Sequence, residues 1–281
     1  NMIIPGTDTK ALLNRRSALE MGLYITHHHA EPLGAELFLR VFPDKEPSYD
    51  INRDLFHKVW EDSVIAQKDE KVIWNIGFRG QGDYAFWETD TKYETSEARG
   101  KLISQVMREQ MDIVKNYVEN PVFCTNIYGE IMELYKEGVI DVPEGVIKIW
   151  ADNGYGKMVS RRQGNSNPRV YALPKTEDKR PNGIYYHITF HDLQASNHLT
   201  MLPNSPEFVA EEIIDAFEAS ADEYLILNSG NIKPHTYMLG IVSELWKSGK
   251  IDIKNYTMDY VRTYYPSGNR EVQECYEDYF K

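Results

Sequence analysis

Residues 122–151 read VFCTNIYGEIMELYKEGVIDVPEGVIKIWA, and the way this stretch is read decides the fold. Val122–Ile127 is a short apolar run rich in β-branched and aromatic residues. It gives way to helix-forming residues, Glu130–Lys136, which Gly138 ends, and a second apolar run, Val146–Trp150, follows. Runs of this length and composition predict buried strands, and the segment between them predicts a crossover helix. Glu130 and the pair Asp152 and Asn153 then fall just past strand ends, where parallel α/β proteins carry their chemistry.

The same pattern recurs on both sides. VIWNIGFRGQGD at 72–83 ends in Arg79 and Asp83, GIYYHITFHD at 183–192 in His187 and Asp192, and YLILNSGNIKPH at 224–235 in Asn228 and Asn231. We expect these strand ends to form one site. Upstream, Ala11–Met21 reads as a short helix stopped by Gly22, Leu23–His29 as a strand, and residues 30–52 as a long loop. The helix Arg53–Lys68 follows, with Leu55, Phe56, Val59, Trp60 and Val64 on one face at helical spacing. The strand Lys71–Phe78 precedes a helix over 96–118, with Ser96 as its N-cap and Leu102, Ile103, Val106 and Val114 as its buried stripe.

Beyond Trp150 the sequence loosens. Residues 153–183 hold too many Gly, Pro, Asn and charged residues for one packed helix, and connections of that length usually serve function. Ile184–Phe190 is the next strand, Ser205 and Pro206 announce a helix carrying Val209, Ile213, Ala216 and Phe217, and Tyr224–Asn228 precedes a last helix near His235–Lys247. The final residues read as helical. Six βα units without hairpin turns predict a parallel sheet with right-handed crossovers. Neither GFRGQG at 77–82 nor NGYG at 153–156 is a dinucleotide fingerprint, so a (β/α)8 TIM barrel is favoured over a doubly wound sheet. Residues 1–250 are expected to form a partial catalytic barrel and 251–281 to begin a helical region.

Composition narrows the function. The 281 residues carry 42% hydrophobic content, enough for a core, and no apolar run long enough to span a bilayer. A net charge of −12 and a pI near 5.2 argue against nucleic acid, whose binding rests on phosphate neutralisation. Cys124 and Cys275 lie far apart in no metal-ligand spacing. Aromatic content of 12%, including 19 Tyr, suits stacking on sugar rings as well as ordinary core packing, so it decides nothing alone.

Six blocks in order then carry a resemblance: THHHAEPLGAE (26–36), KVIWNIGFRGQGD (71–83), NIYGEIMELY (126–135), IKIWADNGYGKMVSRRQGN (147–165), DLQASNHLTMLPNSPEF (192–208) and NSGNIKPH (228–235). Together they resemble the barrel domain of glycoside hydrolase family 115, the xylan α-1,2-glucuronidases. The resemblance implies barrel strands three to eight. The family's acidic and aromatic site residues on the first two strands, together with those strands, would have to come from upstream sequence or a second copy, with a homodimer as one form. It also implies removal of (4-O-methyl)glucuronic acid from xylan or xylooligosaccharide side chains with inversion, without metal or cofactor, by a secreted or periplasmic protein that engages neither nucleic acid nor membrane.

Inversion needs a carboxylic acid and a carboxylate roughly 6.5–9.5 Å apart. The strand-end candidates are Glu130, Asp83 and Asp152, with Asp192 a further carboxylate. Glu130 is the expected acid, because an apolar helix start suits a proton donor, and Asp83 the expected second member, as the base or as the residue that orients the water. Arg79 suits a bidentate grip on the uronate, or on a neighbouring carboxylate. Asn153, His187 and Asn228 match family positions that contact substrate, and His28 and Glu31 are further binding candidates. Each also has a bland reading: Glu130 as a helix-dipole acid, Asp83 as a turn residue and His187 as a structural hydrogen-bonder. Lys157, Arg161, Arg162 and Arg169 could steer an acidic substrate. One competing reading takes His27 and His29 as the HxH pair of a metal-dependent amidohydrolase-like barrel, with His187 and Asp192 as later ligands. Another takes the chain as an inactive barrel fragment that binds acidic sugar.

Overall fold

The computed structural model describes residues 2–82, 84–160, 170–178, 181–188, 204–230 and 232–281. The chain is α/β and divides into two compact units, Asn1–Ile149 and Trp150–Lys281, with the boundary inside a strand.

In the first unit, β1 (Met2–Ile4) leads through α1 (Thr9–Glu20) to β2 (Ile25–His27), and the two strands pair in parallel, Ile3 opposite Thr26. Thus one strand more than expected precedes the six. Its three residues are too few to show a period, and the Pro5-Gly6 pair behind them reads as a turn. Asp8 caps α1, its Oδ1 accepting from Ala11 N at 2.8 Å. A parallel bridge between Ile25 and Val72 joins β2 to the residues before β3 (Ile73–Asn75). β3 pairs in parallel with β4 (Val122–Ile127), Asn75 opposite Cys124, and β5 (Ile147–Ala151) is next in order.

The expected loop 30–52 is partly helical. It holds a short 3-10 turn at Pro32–Gly34, the single-turn α2 (Phe38–Val41) and the first residues of α3 (Tyr49–Ile65). Phe56, Val59, Trp60 and Val64 are buried as the period predicts, and Phe38, Tyr49 and Phe78 join their aromatic cluster. α4 (Ser96–Lys115) buries Leu102, Ile103, Val106 and Val114. Its cap is Thr95 rather than Ser96: Thr95 Oγ1 accepts from Ala98 N at 3.2 Å, while Ser96 already takes part in the helix. α5 (Glu130–Lys136) starts directly after Gly129, whose φ of +56° makes the sharp exit from β4.

The second unit holds the end of β5, then β6 (Asn182–His187) and β7 (Tyr224–Asn228). β6 and β7 pair in parallel, with His187 opposite Asn228. α6 (Pro206–Glu218) begins as predicted, Ser205 Oγ accepting from Phe208 N at 3.2 Å. α7 (Thr236–Ser248) ends on Gly249 at φ +69°. Phe217 is half-buried and meets Trp246 of α7 edge-on. α8 (Ile253–Tyr264) and α9 (Asn269–Tyr279) confirm that the last residues are helical. The loop after β5 is not wholly irregular, since Val159 and Tyr171 form an antiparallel bridge. No described helix is long and apolar enough to cross a membrane.

Gly100 makes a local test of packing. A Cβ there would run into the carbonyl of Val139, within the first unit. Helix propensity alone would make Gly100→Ala stabilising by about 1 kcal/mol, but overpacking against backbone costs about 1–3 kcal/mol. The variant is expected to unfold at lower urea concentration than the parent; a higher midpoint would contradict this packing.

Candidate active site

In the first unit, the strand ends of β2, β3 and β4 bring several predicted residues together. Arg79, past β3, meets Glu130, the first residue of α5. Its Nε donates to Glu130 Oε1 at 2.7 Å and its Nη2 to Oε2 at 3.4 Å. Parallel neighbours point their carboxyl ends the same way, so Arg79, four places past β3, and Glu130, three past β4, come within reach. Arg79 Nη1 also lies 3.1 Å from His29 Nε2. Arginine can only donate, so that nitrogen accepts and the His29 proton sits on Nδ1. Tyr128 completes the group: its ring lies 5.5 Å from the guanidinium carbon and 4.8 Å from the His29 ring centre.

Glu130 therefore does not sit in the expected apolar surroundings. Its carboxylate is charge-paired and partly open to solvent. The alternative role for Arg79, gripping a neighbouring carboxylate, is the one the geometry displays. The His28 ring lies tilted against His29 with ring centres 3.9 Å apart, and its Nδ1 lies 3.3 Å from Glu31 Oε2. Asp83 lies outside the described residues, as do Asp192, Asn231, Arg161, Arg162 and Arg169.

The expected HxH pair diverges instead of converging. The His27 ring is buried, its Nε2 2.6 Å from Oε1 of Gln67 in the turn after α3, while His29 faces Arg79. Among the described residues no group of three or more His, Cys, Asp or Glu could hold a metal ion. Cys124 is buried, and burial pushes its thiol up to about 12, which leaves it protonated and a poor nucleophile near neutrality.

The second unit carries a separate arrangement built on Asp152. This carboxylate is fully buried and saturated with donors. Oδ1 accepts from Gly154 N at 3.1 Å, and Oδ2 accepts from Gly156 N at 2.7 Å and His187 N at 3.1 Å. His187 Nδ1 lies 2.5 Å from Oδ1. A carboxylate accepts only, so Nδ1 carries a proton and the ring's orientation is fixed by Asp152. Asp152 is thus engaged with its own loop and with His187. The Tyr185 ring stacks on His187 at 5.0 Å, and Asn228 Nδ2 donates to the Tyr185 hydroxyl at 2.6 Å. Asn153 turns inward to its loop, its Oδ1 accepting from Tyr155 N at 2.9 Å. Lys157, half exposed, is paired with buried Glu212 of α6, whose other oxygen accepts from Met158 N at 2.8 Å.

Tyr128, Tyr185, Gln67 and Glu212 were not singled out by the sequence. The first two sit at or beside strand ends already identified, so position could have found them. Gln67, in the turn after α3, and Glu212, within α6, carry no such signal.

Comparison with known proteins follows from this geometry. The model of glycosyl hydrolase family 115 matches residues 1–281. No curated protein matches the sequence. Among solved structures, a family GH115 4-O-methyl-α-glucuronidase with specificity for decorated arabinogalactans superposes with a TM-score of 0.77 at 22% identity. The alignment covers 95% of this chain and 35% of that one, so the chain spans about a third of its solved relative.

Two outcomes follow from the buried groups. Burial lowers the His27 pKa from 6.5 to about 4. The unfolded chain therefore binds the extra proton first, and the stability held above pH 6.5 is lost as pH falls toward 4, by about 1.4 kcal/mol per unit. Urea unfolding across that window should show this slope, and His27→Gln should flatten it; an equal slope in both would contradict the assignment. Asp152→Ala leaves three backbone N–H groups and a ring N–H without their acceptor, and is expected to cost about 3 kcal/mol or more in chemical denaturation. A loss below 1 kcal/mol would refute the anchoring role.

Proposed function

The chain belongs to glycoside hydrolase family 115, and from that premise we propose that the protein carrying it removes (4-O-methyl)glucuronic acid linked α-1,2 to xylan. On this reading its parallel strands are consecutive members of a (β/α)8 barrel, and the reaction is a two-carboxylate inversion. The observation that carries it is the Arg79–Glu130 pair at the ends of adjacent strands. A glycosidase needs a carboxyl group held in one orientation at such an end, and a two-point guanidinium grip supplies that.

Glu130 protonates the leaving glycosidic oxygen while Asp83, four residues beyond Arg79, activates water on the opposite face. His28, Glu31, Asn153, His187 and Asn228 are the proposed contacts to the sugar. Asp152 engages His187 through Nδ1 and leaves Nε2 for the sugar, so the part assigned to Asp152 is positioning His187. A second reading exchanges the two chemical roles. In it Glu130 activates the water and Asp83 donates the proton. The solved relative's specificity for decorated arabinogalactans makes a galactan backbone the competing aglycone.

Release of uronic acid from glucuronoxylan and from arabinogalactan tests the reading in the full-length protein. Glu130→Gln is expected to lower release at least about a thousandfold with an unchanged melting temperature. Retention of wild-type rate would remove Glu130 from the chemistry. A substrate with a 4-nitrophenol leaving group separates the roles: loss of the acid is largely masked there, whereas loss of the base is not.

A further inference from the structure

Beneath the Arg79–Glu130 pair runs a chain of two amides that no role above uses. Asn75 of β3 is buried, and its Nδ2 donates to the His28 carbonyl at 3.1 Å. Asn126 of β4 donates through Nδ2 to Asn75 Oδ1 at 2.9 Å. The direction of this chain is forced. The His28 carbonyl can only accept, so the Asn75 atom facing it is the amine, and the atom left for Asn126 is the oxygen. Asn126 must therefore present its own amine to Asn75 and turn its Oδ1 away. That oxygen has no partner among the described residues, and Asn126 is only half-buried, so the atom is not sealed from solvent. Asn126 lines one cavity together with His29, Arg79 and Tyr128.

We infer that Asn126 is a further substrate-binding residue, whose Oδ1 accepts a hydroxyl of the uronic acid held beside Arg79. Asn75 is its positioning residue. This rests on the reading of the Arg79–Glu130 cluster as a uronic acid site. A polar side chain oriented by a fixed partner loses little freedom on binding, and a neutral acceptor suits a sugar hydroxyl beside a carboxylate-bearing ring, where a second anion would repel. A wholly structural amide pair would need no exposed acceptor.

The test is calorimetric titration of the full-length protein with D-glucuronic acid, with melting followed in parallel. Asn126→Ala is expected to raise Kd about tenfold or more. Asn75→Ala, which keeps Asn126 but frees it to rotate, is expected to raise Kd severalfold and supplies the test if Asn126→Ala does not fold. A lowered melting temperature with unchanged Kd in either folded variant would show a merely structural pair and overturn the inference, while leaving the proposed function in place. No binding of glucuronic acid by the wild-type protein would overturn both.

Discussion

The pairing of Arg79 with Glu130 depends on a constraint that the whole first unit serves. Parallel strands β3 and β4 run in register, Asn75 opposite Cys124, so the chain leaving β3 runs on beside the end of β4 and brings Arg79 within reach of Glu130. Everything near the pair follows from that alignment. Gly129 at φ +56° turns the chain so that α5 begins at once and delivers Glu130. Gln110 of α4 clamps Gly77, donating to its carbonyl at 3.0 Å and accepting from its N–H at 2.8 Å, which fixes the residue two before Arg79. A guanidinium that meets a carboxylate, an imidazole nitrogen and an aromatic face has little freedom left, and its rigidity passes to Glu130.

Asp152 shows what distinguishes a structural carboxylate from one open to chemistry. Both lie just past strands in similar sequence. Asp152 accepts four hydrogen bonds in a fully buried position, so its oxygens have no capacity for substrate. Glu130 keeps part of its surface exposed and shares one partner. The loop after β5 is held at two places by acids, Asp152 at its start and Glu212 at Lys157 and Met158.

Much of this was legible beforehand. The alternation of apolar runs with amphipathic helices located β2 to β7 and the buried faces of α3, α4 and α6, because burial imposes a period that composition reveals. Strand-end position located Arg79, Glu130, Asp152 and His187. What escaped had no such period: β1 is three residues long, Thr95 precedes a serine equally able to cap, and Gln67, in the turn after α3, and Glu212, on α6, act at long range. The divergence of His27 and His29 was hidden too. Alternation predicts a shared face only while the strand continues, and β2 stops at His27.

The most direct test of the central claim is the anomeric form of the first product, followed by proton NMR while the full-length protein acts on α-1,2-glucuronosyl xylooligosaccharide. A two-carboxylate inversion requires the β-anomer to appear first and to mutarotate afterwards. Initial appearance of the α-anomer would contradict the account, because it demands a covalent intermediate and a nucleophile in place of a water-activating base.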